Sequence, residues 1–211
     1  MACRKTDANE GLFPSPAEPG VVRTPDGGRI AMTGYPLVTG GTSNEGIGRG
    51  LAHLRDSGAT CLVTVAEAHE LKDQQANDLS SRAKAVFGRH GWLHAPIQAG
   101  QTPDDLWELY WSGLAPVLLH KRLAAGEMVV VQGLRGRGRT GVATCRLLVE
   151  SGVPPETALA TVRKARPGAV RTAEQEAYVQ GLLDHQSVFD QINTRPEVAN
   201  RLTATARRTQ S

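Results

Sequence analysis

The stretch VVVQGLRGRGRTGVATC, residues 129 to 145, decides the fold. Val129, Val130 and Val131 form a continuous apolar run of the kind found in strands buried on both faces. The chain then turns through Gly133, Gly136 and Gly138 and enters a helical pattern near Thr140. A strand feeding a glycine-rich turn and then a helix aims several backbone N–H groups, and the positive end of a helix dipole, at one point. Gly136 and Gly138 admit the positive-φ conformations that turn successive amides inward. Arg139, at the end of the turn, carries a planar fork suited to two oxygens of one oxyanion. These features point to an anion site over Gly133, Leu134, Arg135, Gly136, Arg137, Gly138, Arg139 and Thr140. The plainer alternative is a solvated basic turn whose glycines only ease the change from strand to helix.

Outward from the loop, apolar runs alternate with helical patterns. RIAMTGYP (29–36) reads as a first strand, GRGLAHLRDSG (48–58) as a short helix stopped by Gly58, and ATCLVTVA (59–66) as a buried strand. LKDQQANDLSSRAKAVFGRHG (71–91) suits one amphipathic helix ending at Gly91, and WLHAPI (92–97) a further strand. The helix over 102–126 is expected to start with Thr102 as N-cap and Pro103 in its first turn. Asp104 and Asp105 follow, where the dipole favours acids, and Pro116 is expected to kink the helix. EMVVVQG (127–133) is the clearest central strand, and PPETALATVRKARPG (154–168) and TAEQEAYVQGLLDHQSVFDQI (172–192) read as closing helices. Strands interleaved with helices predict an α/β three-layer sandwich with a mainly parallel sheet.

At 211 residues the chain fits one domain with short extensions. Residues 1–28, rich in Pro, Gly and charge, read as a flexible leader, 29–192 as the domain and 193–211 as a basic tail with Arg201, Arg207 and Arg208. A net charge of +3 is too small to argue for nucleic acid or a membrane surface. Cys3, Cys61 and Cys145 are widely spaced, with no C-x-x-C pair and no histidine at metal-ligand spacing. Neither a disulfide framework nor a metal site is expected, and no cofactor is implied. The first residues hold no apolar run of signal-peptide type and no stretch is long enough to span a bilayer, so a cytoplasmic protein is the expectation.

The loop resembles the signature of the cysteine-dependent protein tyrosine and dual-specificity phosphatases, in particular the kinase-associated phosphatase branch. That signature runs H-C-x-x-G-x-G-R-[ST]-G, and every element from Gly136 to Gly141 matches. LRDSGATCLVTVAEAHEL (54–71) is similar to the family's segment before its variable loop, and WLHAPIQAGQTPDD (92–105) to the segment carrying its general acid. VRKARPGAVRTAEQEAYV (162–179) resembles the segment where a glutamine positions water, which would be Gln175. The resemblance implies the phosphatase fold and a site for phosphate monoesters.

Three departures bear on mechanism. The family's nucleophilic cysteine is Gly133, which offers no side chain to attack phosphorus. The histidine that tunes the thiolate is Gln132, and the aspartate that protonates the leaving oxygen aligns with Ala99. Cys145 lies too far into the following helix to substitute, and the helical first turn accounts for Asp104 and Asp105. Losing a thiolate also relieves repulsion toward a dianion. The expectation is therefore a pseudophosphatase that binds a phosphorylated protein or small phosphate ester. The alternatives are an active phosphatase using water or an unrecognised nucleophile, and an engineered substrate-trapping form of an active enzyme. Gln132 argues against the engineered form, since trapping does not require that change. A third is a scaffold with a vestigial loop.

Other features carry less. PLVTGGTSNEGIGRGLA (36–52) resembles the dinucleotide turn of short-chain dehydrogenases, but the spacing from Gly40 to Gly46 is too long and no Tyr-x-x-x-Lys follows. Trp107 and Trp111 share a helix face suited to core packing. His94, near the acid loop, is a secondary site candidate and more simply a packed histidine. Arg171 is expected to add to a positive rim, and Glu150, Glu156 and the acids of TAEQE to line solvated helix faces.

Overall fold

The computed structural model of the chain describes residues 19–35 and 44–182. The glycine-rich turn before 44, the start of the leader and the basic tail lie outside the described residues. The elements run β1 (Gly20–Arg23), β2 (Arg29–Thr33), α1 (Asn44–Asp56), β3 (Ala59–Thr64), α2 (Ala68–Asp73), α3 (Leu79–Phe87) and β4 (Trp92–His94). They continue as α4 (Asp105–Ala124), β5 (Met128–Gln132), α5 (Gly138–Glu150), α6 (Pro155–Ala165) and α7 (Ala173–Gln180). The sheet has the order β1-β2-β5-β3-β4, with β1 antiparallel to β2 and every other pair parallel.

The valine run therefore sits at the centre, where both faces of a parallel strand are covered by helices. Side chains alternate along it. Val129 and Val131 join Trp107, Trp111, Leu119 and Leu123 of α4 and the apolar faces of α5 to α7. Met128 and Val130 pack on the other side with Ile47, Leu51 and Leu54 of α1 and with Leu79 and Ala83 of α3. Each fully buried valine contributes roughly 1.5–3 kcal/mol of transfer free energy. The result is the expected α/β three-layer sandwich: helices, a mainly parallel sheet, helices. Among the described residues no helix is long and apolar enough to cross a membrane.

Several sequence expectations are corrected. The stretch read as a leader contains β1, joined to β2 by a Thr24–Gly28 turn in which Gly27 N–H donates to Thr24 O at 3.0 Å. The helix expected over 71–91 is two helices. The chain breaks after Asp73, where Gln75 takes a φ of 57°, and α3 stops at Gly88, whose φ is 86°. Helix α4 starts later than expected, because Asp104 is the N-cap and its carboxylate accepts from Trp107 N–H at 2.8 Å. Helix α5 starts earlier, at Gly138. Trp107 and Trp111 do share a buried face, stacked with centroids 4.6 Å apart.

Candidate functional site

The site forms where β5 ends. The parallel register sets Gln132 beside Thr33 of β2 and Thr64 of β3, so three strands finish together. Main-chain bonds then anchor the loop to β2: Gly133 N–H donates to Thr33 O at 3.2 Å, and Tyr35 N–H to Leu134 O at 3.0 Å. Gly136, at φ 61°, is pressed so close to the end of β2 that an added Cβ would lie 2.4 Å from Gly34 N. No other residue type fits there. From the far side, Arg166, 1% exposed, donates from Nε to Gly136 O at 3.1 Å.

At the far end of the loop Gly141 N–H donates to Arg137 O at 2.7 Å. Between Gly133 and Gly141, the amides of Leu134, Arg135, Gly136, Gly138, Arg139 and Thr140 have no protein acceptor among the described residues. Unspent amides at the N-terminus of a helix make an anion cradle. The cleft above it measures about 390 Å³, and in its lining Arg135, Arg137, Arg139 and Arg171 face one carboxylate, Glu70. The expected positive rim at Arg171 is present.

Arg139 differs from expectation in what holds its fork. Its NH1 and NH2 donate to Glu70 Oε2 at 2.6 Å and Oε1 at 2.8 Å, and NH1 also donates to Ile97 O at 2.8 Å. Both side chains are only 10% exposed. A guanidinium has two bidentate edges; Glu70 takes the one at the tip, which leaves the Nε/NH2 edge for an oxyanion. Burial raises the Glu70 pKa, but the hydrogen bond from Arg139, the Glu67 N–H and the Arg139 charge together hold it below its ordinary value. The carboxylate stays charged and fixes the arginine. Sequence reasoning missed Glu70. Its one signal is the E-x-x-E spacing from Glu67, which here forms a capping box at the start of α2.

The remaining candidates divide cleanly. Ala99, expected from the sequence to stand at the acid's place, lines the cleft and offers only a methyl group there, its N–H donating to Glu67 Oε2 at 3.1 Å. Gln175 also lines it: its Oε1 accepts from Arg171 N–H at 2.9 Å and its Nε2 donates to Gln101 O at 3.0 Å, tying two rim segments together. Gln132 is buried behind the loop, where its Oε1 accepts from Thr64 Oγ1 at 3.1 Å. His94 is outside the cleft lining; it bonds Ala66 O at 2.8 Å and stacks on Trp92. Cys145 is fully buried, and burial pushes its thiol up to about 12, so it is no thiolate. Asp104 and Asp105 belong to the start of α4 and do not reach the cleft.

Glu150 is corrected outright. It is not on a solvated face: its side chain is 4% exposed and accepts from Arg146 Nε at 2.6 Å and Trp111 Nε1 at 3.0 Å.

No protein-family model matches the sequence. Solved structures do. A kinase-associated phosphatase with its catalytic-site cysteine substituted by serine superposes with a TM-score of 0.60 at 19% identity, over 72% of this chain and 83% of that one. Tk-PTP in its active form gives 0.51 at 26% identity, over 73% and 90%. PTPMT1 gives 0.57 at 17% identity, over 84% and 98%. The resemblance noted in the signature loop extends to the whole architecture: this chain has the fold of the cysteine-dependent protein tyrosine and dual-specificity phosphatases.

Proposed function

We propose that the chain binds a phosphorylated ligand, a phosphoprotein or a small phosphate ester, in the Gly133–Thr140 cradle without covalent turnover. One observation carries this reading: the donors of the site are complete while its reactive groups are absent. The amides of the loop and the Nε/NH2 edge of Arg139 are available to an oxyanion. Gly133 supplies no nucleophile, Ala99 no proton and Gln132 no charge. PTPMT1 has been solved in complex with PI(5)P, which supports extending the ligand class to phosphoinositides. The free thiols of Cys61 and Cys145 support a reducing, cytoplasmic setting.

Calorimetry of the full chain with vanadate at low salt tests the binding. Measurable affinity is expected, about 10- to 100-fold weaker in Arg139→Ala, the loss typical of hydrogen bonds to a charged group. Phosphate release from p-nitrophenyl phosphate and a phosphotyrosine peptide is expected to equal that of Arg139→Ala. Turnover that depends on Arg139 would establish an active phosphatase instead, and absence of any binding would remove the anion site.

A further inference from the structure

Helix α4 carries apolar side chains on two opposite faces. One face, with Trp107, Trp111, Leu119 and Leu123, is buried in the core. On the other, Leu106, Leu109 and Val117 are 76%, 72% and 71% exposed, and Tyr110 is 40% exposed. At about 3.6 residues per turn, these residues and Gly113 fall within about 100° of the helix circumference, over about 17 Å of its length. A helix at a protein surface ordinarily keeps polar side chains on its outer face. Of the large apolar side chains exposed among the described residues, all but Val21 belong to α4. A contiguous exposed patch of this kind marks a binding surface. Gly113 stands at its middle. A Cβ added there would meet nothing within 4 Å, so packing inside the chain does not call for glycine, which weakens a helix relative to alanine. A second helix crossing closely at that point does call for it.

The two ends of the stripe differ in sign. Asp104 and Asp105 open the helix, and Lys121 and Arg122 close it. Arg122 is paired with Glu127 at 3.1 Å, whereas Asp105 and Lys121 are exposed and in no ion pair among the described residues. We propose that α4 is a self-association surface, through which two copies of the chain meet with their α4 helices antiparallel about a two-fold axis at Gly113. The occupant is a second copy because the stripe complements itself. Turned end for end about Gly113, the helix sets Leu109 level with the partner's Val117, and Asp105 level with the partner's Lys121. A parallel pairing would bring acid to acid and base to base. An anionic lipid surface is disfavoured by the two aspartates beside Leu106. A two-fold contact of one patch with itself closes at two subunits. No described residue of α4 lines the anion cleft, so this inference stands apart from the anion-binding reading.

Sedimentation velocity of the full chain from about 1 µM to about 500 µM tests it. A contact between two helix faces lies at the small end of interfaces, so a reversible monomer–dimer equilibrium is expected, with a dissociation constant of about 10–100 µM. Leu109→Glu is expected to weaken the dimer about 10-fold or more. Asp105→Lys and Lys121→Asp are each expected to weaken it about 3- to 10-fold, and the double variant to dimerise more tightly than either. At about 1 µM, Leu109→Glu is expected to melt within about 2 °C of wild type, because it replaces an exposed side chain. A double variant no tighter than the single ones overturns the antiparallel pairing, and a dimer that Leu109→Glu leaves intact places the contact elsewhere. A chain that stays monomeric throughout overturns the inference. A lower melting temperature in Leu109→Glu would then assign the stripe to the chain's own residues 183–211, and an unchanged one to a different partner.

Discussion

At the scale of single residues, the loop combines free main-chain donors and a fixed arginine with a glycine at position 133. Arg139 is held between Glu70 and Ile97 O, so its open edge is presented without a search through rotamers. Gly133 offers no side chain to attack phosphorus, and on the reading proposed above restoring that side chain alone is not enough to restore the chemistry. Gly133→Cys is expected to give phosphate release from p-nitrophenyl phosphate no more than a few-fold above wild type. Ala99 still lacks the proton donor that contributes about 10²–10⁴-fold, and a Cβ at 133 would lie 2.6 Å from Thr140 Oγ1, so that hydroxyl must shift to admit it. Adding Ala99→Asp to Gly133→Cys is expected to raise that rate, and an equal rate in single and double variants would show that position 99 is not the acid's place. Much of this was legible in the sequence, because glycines and an arginine at fixed spacing after a strand carry their own physics. Glu70 was not, since a carboxylate across the cleft joins the site only once the segments meet.

At the scale of elements, local signals worked where a backbone requirement is tied to a residue type. Gly58 ends α1 at φ 94° as its sequence position suggested. The break between α2 and α3 escaped because no Pro or Gly marks it: Gln75 takes the left-handed conformation, and Ala76 N–H donates to Leu71 O at 2.8 Å to close the turn. Strand β1 escaped because two valines are too short a signal beside a Pro-Asp-Gly-Gly turn. In α4, Asp104 rather than Thr102 caps the helix. Asp104→Ala is therefore expected to lower stability by about 0.5–2 kcal/mol, and Thr102→Ala by a few tenths, in denaturant melts. The reverse order would return the cap to Thr102.

At the scale of the whole molecule, a partly buried cluster joins three helices. Arg146 of α5 donates to Glu150 and to Glu108 of α4, and Tyr178 of α7 donates to Glu108 Oε1 at 2.5 Å. His120 Nε2 lies 3.0 Å from Glu150 Oε2. Burial raises the Glu150 pKa, yet the hydrogen bond with His120 and the charge and hydrogen bond of Arg146 outweigh it and hold the carboxyl below its ordinary value. A carboxyl depressed on folding stabilises fully above its unfolded pKa, about 4.3, and loses that contribution as pH falls through the lower folded value. The melting temperature is expected to fall as pH drops below about 4.3, and less steeply in Glu150→Gln; equal slopes would remove Glu150 from the acid response. No sequence pattern announced this cluster, because its members come from helices far apart in the chain. One property of the cradle reaches further. Its curvature is fixed by Thr33 O, by Leu134 O and by Arg166 on Gly136 O, none of which depends on the side chain at 133, 135 or 137. Contour and side-chain chemistry are therefore set by different atoms in this loop: what stands at 133, 135 or 137 can change while the main-chain bonds that bend it stay as they are.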